Sequence, residues 1–300
     1  MEKNLRVNEK ETIETPSWTK TLVREFKKDK FAMISLVILI LMWATIFIGA
    51  VVLDQEEVMK VDVMASYLRP GEEGYILGTD QGGRSIMGQL IIGGRNSVVI
   101  GVCITVITTV IGIIVGLISG FFGGRVDNFI MRIIDFIGVL PMLMIVIVLV
   151  TIVPKYNVFS FVVIMSLFNW AGLARLTRSL SLTEARRDYV SASKTMGTNK
   201  LKIMLTGILP NISSIIIVNS TLNLAGNIGI ETGLTYLGFG LPVGTPSLGT
   251  LIGYAKSPEV IADRLYVWLP AAMVILVMMI CINYIGQAIN RASDAKQRLG

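Results

Sequence analysis

The chain has 300 residues, 53% of them hydrophobic and only 16% charged, with a mean hydropathy of +0.67 and a net charge of +6. That balance excludes an ordinary water-soluble domain and points to an integral membrane protein. The basic excess sits mostly in loops beside hydrophobic runs, and no basic aromatic face is visible, so it reads as membrane topology and contact with anionic lipid, with no nucleic-acid partner.

In chain order, residues 1–30 form a largely polar tail. Within it Trp18, Leu22 and Phe26 recur every four residues across Ser17–Lys30, flanked by basic residues. That spacing predicts an amphipathic helix lying on the membrane surface; an unstructured tether is the alternative. The first apolar run is long enough to stay in the bilayer, and the polar tail before it argues against a cleavable signal peptide. Six segments reach the length needed to span. They lie near Phe31–Leu53, Ser97–Phe122, Ile130–Val153, Phe159–Ala174, Ile212–Ile230 and Leu265–Ile289. The segment 54–96 between the first two ends in a glycine-rich stretch around Asp80 and Arg84. This predicts a tight turn with a possible Asp80–Arg84 ion pair, which contributes little if exposed.

Within the spans, Gly112, Gly116 and Gly120 are spaced to let another helix approach closely. That helix belongs either to a partner subunit or, the favoured reading, to this chain's own bundle. Pro141 is expected to kink the third span or free a carbonyl. In the fifth, Asn211, Asn219, Asn223, Asn227 and Glu231 follow four- and eight-residue steps and form one polar stripe. Lipid cannot satisfy such groups, so the stripe faces protein or water. Asn219, Asn223, Asn227 and Glu231 are candidates to line a translocation path; interhelical hydrogen bonding is the alternative.

Most of the 27 Lys and Arg residues fall on one side of this topology, leaving Lys60, Arg69, Arg84, Arg95, Lys155, Lys256 and Arg264 on the other. The bias predicts cytoplasmic N- and C-termini. It also puts in the cytoplasm the long polar loop Tyr189–Pro210, YVSASKTMGTNKLKIMLTGILP. The loop is helix-forming in composition and much longer than a bundle connection needs, so it looks built to be gripped from outside the membrane.

No phosphate-binding glycine loop, dinucleotide fingerprint, nucleophile elbow or HExxH helix is present, and the chain has no histidine. It is therefore read as no enzyme, with energy supplied by an ion gradient or a partner. Asp135 and Glu231 are the only carboxylates expected inside the spans, too few for a proton relay. Cys103 and Cys281 both fall inside spans, which argues against a disulfide or metal site and for small buried thiols.

The loop resembles the coupling loop of ABC importer permeases, whose pattern is Glu-Ala-Ala, three residues, Gly, nine residues, Ile, one residue, Leu-Pro. Ser191-Ala192-Ser193 occupies the Glu-Ala-Ala place, Gly197 follows at the family spacing, Gly207 replaces the preferred Ile, and Leu209-Pro210 closes the motif. The segment Leu77–Ser85, LGTDQGGRS, is similar to the LGTDxxGRD signature of the second permease of peptide and nickel importers, with Ser85 in place of Asp. Gly120–Phe136 and Glu231–Ile252 resemble the same subfamily.

The resemblance implies an all-α integral membrane protein with the six-helix type I ABC importer permease fold. Its parts would be a tail 1–30, a first transmembrane helix 31–53, an extracytoplasmic segment 54–96, a five-helix core 97–290 with a coupling loop 175–210, and a tail 291–300. It further implies a second homologous permease, two cytoplasmic ATPase subunits that bind ATP and Mg, and an extracytoplasmic substrate-binding protein. This chain itself would hold no cofactor. The coupling residues would be Tyr189, Ser191, Ala192, Ser193, Gly197, Leu201, Leu209 and Pro210. Gly78, Thr79, Asp80, Gly83 and Arg84 would form the outer signature. The cargo implied is oligopeptide, with nickel or chelated metal, or a role as ligand sensor or scaffold, as alternatives.

Overall fold

The computed structural model describes residues 26–242 and 244–297, so the helix expected over Ser17–Lys30 lies mostly outside the described residues. Of its three apolar positions only Phe26 is described, and it packs against Ala32 and Ala288 of the protein itself. The architecture is helical, and among the described residues the only β-type pairing is an isolated bridge between Thr79 and Ser85.

Helix α1 (Lys30–Val52) starts where Asp29 accepts hydrogen bonds from the amides of Phe31 and Ala32, both at 3.1 Å, filling two orphan donors of the first turn. The Asp29 side chain also pairs with Arg291 near the other terminus. The backbone bond from Ala32, helped by Arg291, keeps this carboxyl below the usual aspartate range. A short α2 (Gln55–Val58) and two single 3-10 turns lead into α3 (Ile86–Phe122). Helix α3 therefore begins well before Ser97, because Ser85 caps it through the Gly88 amide at 3.2 Å.

The third and fourth of the expected spans are bent. The segment expected near Ile130–Val153 is split into α4 (Gly124–Val139) and α5 (Met142–Ile152), which meet at 82°. Leu140 is extended there, the conformation a following proline favours, and Pro141 opens the new helix. Next come α6 (Val158–Asn169) and α7 (Ala171–Glu184), bent by 40°. Then follow α8 (Asp188–Thr195), α9 (Lys200–Leu237), α10 (Leu248–Gly253), α11 (Pro258–Asp263) and α12 (Leu265–Gln297). By length and apolarity, α1, α3, α9 and α12 can each cross a membrane, and the two bent pairs bring the number to six if each pair is one span.

Helix α3 is the axis of the bundle, packed against α1, α4, α6, α7, α9 and α10. Gly112, Gly116 and Gly120 all face α7. A Cβ on Gly116 would lie 2.5 Å from the Thr177 Cβ, and one on Gly120 would lie 2.6 Å from the Arg178 carbonyl. The small-residue stripe is thus used inside the subunit, where it brings two backbones together. Beside it, Arg178 of α7 grips both oxygens of Asp127 in α4, and Ser119 of α3 donates to the same carboxylate. Asp127, expected in a loop, is a buried carboxylate at this end, as is Glu184, whereas Asp135 is exposed and pairs with Arg175 at 2.9 Å. Of the two cysteines, Cys281 is buried as expected, but Cys103 is exposed.

Candidate functional site

At the end of the bundle where α3 stops and α9 begins, α8 stands away from the core on three attachments, one of them Lys194 Nζ 4.8 Å over the Phe121 ring of α3. Val190 is fully buried among Leu117, Phe121, Ile203, Met204, Ile208 and Ile212. Beside it, the Tyr189 hydroxyl donates to Glu184 Oε2 at 2.8 Å and accepts from Asn211 Nδ2 at 3.1 Å. Glu184 is held in turn by Arg187 at 2.8 Å. Burial, then the Glu184 carboxylate, keeps the Tyr189 phenol above its ordinary pKa, so it remains a donor. The tyrosine thus joins α7, α8 and α9.

The rest of α8 faces outward. Ser191, Ala192, Lys194, Thr195, Met196 and Gly197 are exposed, and Ser193 is half-buried. The helix stops in a Schellman turn, with the Gly197 amide on the Lys194 carbonyl at 3.1 Å and the Thr198 amide on the Ser193 carbonyl at 3.0 Å. Gly197 has φ +74°, a conformation most side chains resist, yet nothing lies within 4 Å of where a Cβ would sit. Asn199 then caps α9 through the Leu201 amide at 2.9 Å. Leu201 and Leu205 continue the exposed face, and Met196 is 76% exposed. Apolar side chains clustered in the open on so small a projection mark a surface meant to be covered.

Leu209 and Pro210 open the α-helical part of α9, Leu209–Leu237, with the proline in its first turn as expected. The turn of α9 just before them, Ile203–Ile208, is π-helical, with the Leu209 amide reaching the Met204 carbonyl. Proline lacks an N–H and its ring crowds the carbonyl four residues back, here that of Thr206; the wider turn accommodates both. Gly207, which departs from the isoleucine of the resembled motif, leaves room for the Tyr189 ring, 3.4 Å from where a Cβ would sit.

At the opposite end, residues 54–85 fold into a closed knot. Asp80 is fully buried and all its acceptor capacity is engaged. Oδ1 takes the amides of Gly82 and Arg84 at 2.8 and 3.0 Å, and Oδ2 takes Arg84 Nε and Gln89 Nε2, both at 2.9 Å. Thr79 Oγ1 accepts from the Leu68 amide at 2.8 Å and donates to the Ala65 carbonyl. Gly78 and Gly83 have φ of +78° and +73°, and a Cβ on Gly83 would lie 1.8 Å from the Asp62 carbonyl oxygen. The Asp80–Arg84 pair is therefore buried on its acidic side and belongs to a network, unlike the exposed pair expected to contribute little.

The polar stripe of α9 divides. A four-residue step drifts by about 40°, so three steps turn Glu231 about 120° away from Asn219. Asn219, half-buried, and Asn223, exposed, remain toward the open face. Asn227 turns inward and donates to Thr105 Oγ1 of α3 at 2.9 Å. Glu231 is fully buried and bonded to Thr235 Oγ1 at 3.0 Å and to the hydroxyls of Ser97 and Ser247.

Residues 112–299 match the family model described as binding-protein-dependent transport system inner membrane component. The oligopeptide transport system permease protein OppC of Lactococcus lactis is 47% identical over 97% of this chain and 99% of its own length. The protein of the same name in Escherichia coli K12 is 33% identical over 97% of this chain and 95% of its own, and that of Bacillus subtilis is 32% identical over 94% and 90%. A family match over more than half the chain, together with near full-length similarity, settles the class: the chain belongs to the family of binding-protein-dependent transport system inner membrane components, membrane permeases of ABC transporters.

Proposed function

We propose that this protein is the transmembrane permease subunit of an ATP-driven importer of oligopeptides. The observation that carries the reading is the 47% identity to an oligopeptide permease over nearly the whole of both chains. In this reading both bent helix pairs are spans, the chain crosses six times with both termini in the cytoplasm, and the knot of residues 54–85 lies outside. A second permease completes the path, a binding protein delivers peptide from outside, and two ATPase subunits bind ATP and Mg inside.

The α8 projection is the coupling element. Ala192 and Ser193 are small enough for a partner groove to approach closely, and Met196 and Leu201 supply apolar surface for it. Gly197 sets the turn between α8 and α9, and Leu209-Pro210 joins that turn to the span. Reversing a 99:1 conformational bias takes about 5.5 kcal/mol of differential binding. With no nucleotide-binding motif in this chain, that energy enters through α8 and reaches α9 by way of Val190 and Tyr189. The path runs along the open face of α9, where Asn219 and Asn223 offer donors and acceptors without charge selection, as peptide backbones of varied sequence require. Asn227 and Glu231 support that face from behind.

The test is uptake of a radiolabelled tetrapeptide by cells lacking the chromosomal copy, complemented with wild type or Ala192→Trp. Wild type is expected to restore ATP-dependent uptake and the variant to fail while still reaching the membrane. Peptide uptake that is indifferent to the presence of the chain would sink the reading.

A further inference from the structure

Helix α10 is a six-residue element tucked back into the bundle between α3, α9 and α12, with Leu248 and Leu251 fully buried. Polar contacts fasten it at both ends, in a bundle held elsewhere mainly by apolar packing. At its start, Ser247 and Thr250 form a reciprocal cap, and the Leu248 amide donates to Ser97 Oγ of α3 at 3.2 Å. Asn96 Nδ2 holds the Pro246 carbonyl at 2.8 Å, and Ser247 reaches Glu231. Glycines let the backbones touch: a Cβ on Gly93 would lie 2.8 Å from the Ser247 carbonyl carbon, and one on Gly249 would lie 2.7 Å from the Thr232 carbonyl oxygen.

At its other end stands Tyr254, the residue after Gly253. Its hydroxyl donates to Gln89 Oε1 at 3.1 Å and accepts from Arg84 Nη2 at 3.2 Å. Both partners are aimed by one atom, since Arg84 Nε and Gln89 Nε2 each lie 2.9 Å from Asp80 Oδ2. Burial, with the Asp80 carboxylate nearby, pushes the Tyr254 phenol well above its ordinary pKa, so the hydroxyl keeps its proton. The glycine-rich signature spends its polar groups on itself and on this tyrosine.

We infer that the LGTDQGGRS segment is a positioning element for α10: Asp80 orients Arg84 and Gln89, and together they hold Tyr254 so that α10 stays seated over Glu231. Resting on the importer reading, this makes α10 the outer closing element of the permease and the Tyr254 hydroxyl its catch. Removing that hydroxyl keeps the ring and frees α10 at one end only. Two lost hydrogen bonds, one of them to a guanidinium, shift the seated-to-released ratio about tenfold.

The experiment has two arms in Tyr254→Phe and, as a second variant, Gln89→Met, which keeps the side-chain volume and removes one of the two bonds to Tyr254 together with the Gln89 bond to Asp80. In the first arm, Leu251→Cys is placed in a background with Cys103 and Cys281 replaced by Ser, and maleimide labelling is timed on the full chain in detergent. Tyr254→Phe is expected to speed labelling about tenfold and Gln89→Met by less. An unchanged rate in both would overturn the inference. In the second arm, ATPase activity of the reconstituted complex is measured without binding protein. Tyr254→Phe is expected to raise this basal rate several-fold and to lower peptide taken up per ATP. A residue that only stabilises the fold would lower assembly and leave the basal rate per complex unmoved, which would also overturn the inference. A wild-type complex that hydrolyses ATP without peptide stimulation, beside faster labelling of the variants, would instead remove the importer reading and leave the seating of α10 intact.

Discussion

Gly83 and Gly197 share one backbone conformation, with φ of +73° and +74°, and have opposite surroundings. Around Gly83 the chain is closed: the Asp62 carbonyl occupies the space a Cβ would need, and the buried Asp80 carboxylate ties the neighbouring turns together. Around Gly197 there is open space, and the adjacent helix turns Ala192 and Met196 outward. Two turns with the same local chemistry thus do different work. One satisfies its own polar groups and makes a rigid end of the bundle; the other satisfies its backbone, sets Lys194 over the Phe121 ring, and leaves Ala192 and Met196 exposed.

The contrast breaks most sharply at the knot. Gly83→Ala combines left-handed strain of about 1–2 kcal/mol with overpacking of about 1–3 kcal/mol, so roughly 3 kcal/mol of stability should be lost. Thermal unfolding in detergent is expected to show the loss, and an unshifted midpoint would mean that the knot is not rigid. Asp80→Asn comes next. Its amide would turn a donor toward Arg84 and Gln89, costing about 2 kcal/mol, the range for a hydrogen bond to a charged group. It should also speed proteolysis between residues 54 and 85, whereas Asp80→Glu in the same assay separates loss of charge from loss of shape.

The two regions were unequally legible in the sequence. The exposed loop was visible because its signals are local: a polar run between apolar ones, a glycine at a helix end, a proline at re-entry. The knot was visible as a motif, but its partners were not, since Arg84 meets Tyr254 across 170 positions and no local period reports that. The divided stripe of α9 is intermediate. Four-residue spacing marks a helical stripe correctly, yet its accumulated drift decides which members face the open side, and that depends on where α3 and α10 pack. Asp127 was missed because its helix begins earlier than hydropathy suggests, and the arginine that makes it worth burying lies 51 positions away. The 82° break at Pro141 was legible as a kink, though its size depends on how α5 and α6 pack together.

At the loop, the matching substitution is Gly197→Ala. Without a steric clash only the strain of the left-handed conformation remains, about 1–2 kcal/mol. It acts on one helix end that is not part of the buried core. The unfolding midpoint is therefore expected to move less than for Gly83→Ala, while uptake falls because the angle between α8 and α9 is altered. Equal destabilisation by the two alanines would abolish the distinction between a closed and an open turn.

The smallest effect on folding, and the most telling for function, is expected at Met196 and Leu201. Both side chains are exposed, at 76% and 58%, and neither belongs to the apolar cluster around Val190. Replacing each with Ser removes no packed contact, so stability should stay within about 0.5 kcal/mol, as for surface sites without a structural role. If this surface is covered by an ATPase subunit, however, truncating two apolar anchors should weaken that association by more than tenfold, because each such anchor in a desolvated contact is worth about 1–2 kcal/mol. Co-purification of the ATPase subunits with the Met196→Ser/Leu201→Ser double variant measures it directly. Full retention would mean that the exposed face of α8 and early α9 is not the contact. The load would then fall on the small residues Ala192 and Ser193, which close approach of a partner backbone favours for a different reason, and Ala192→Trp alone would remain to separate the two.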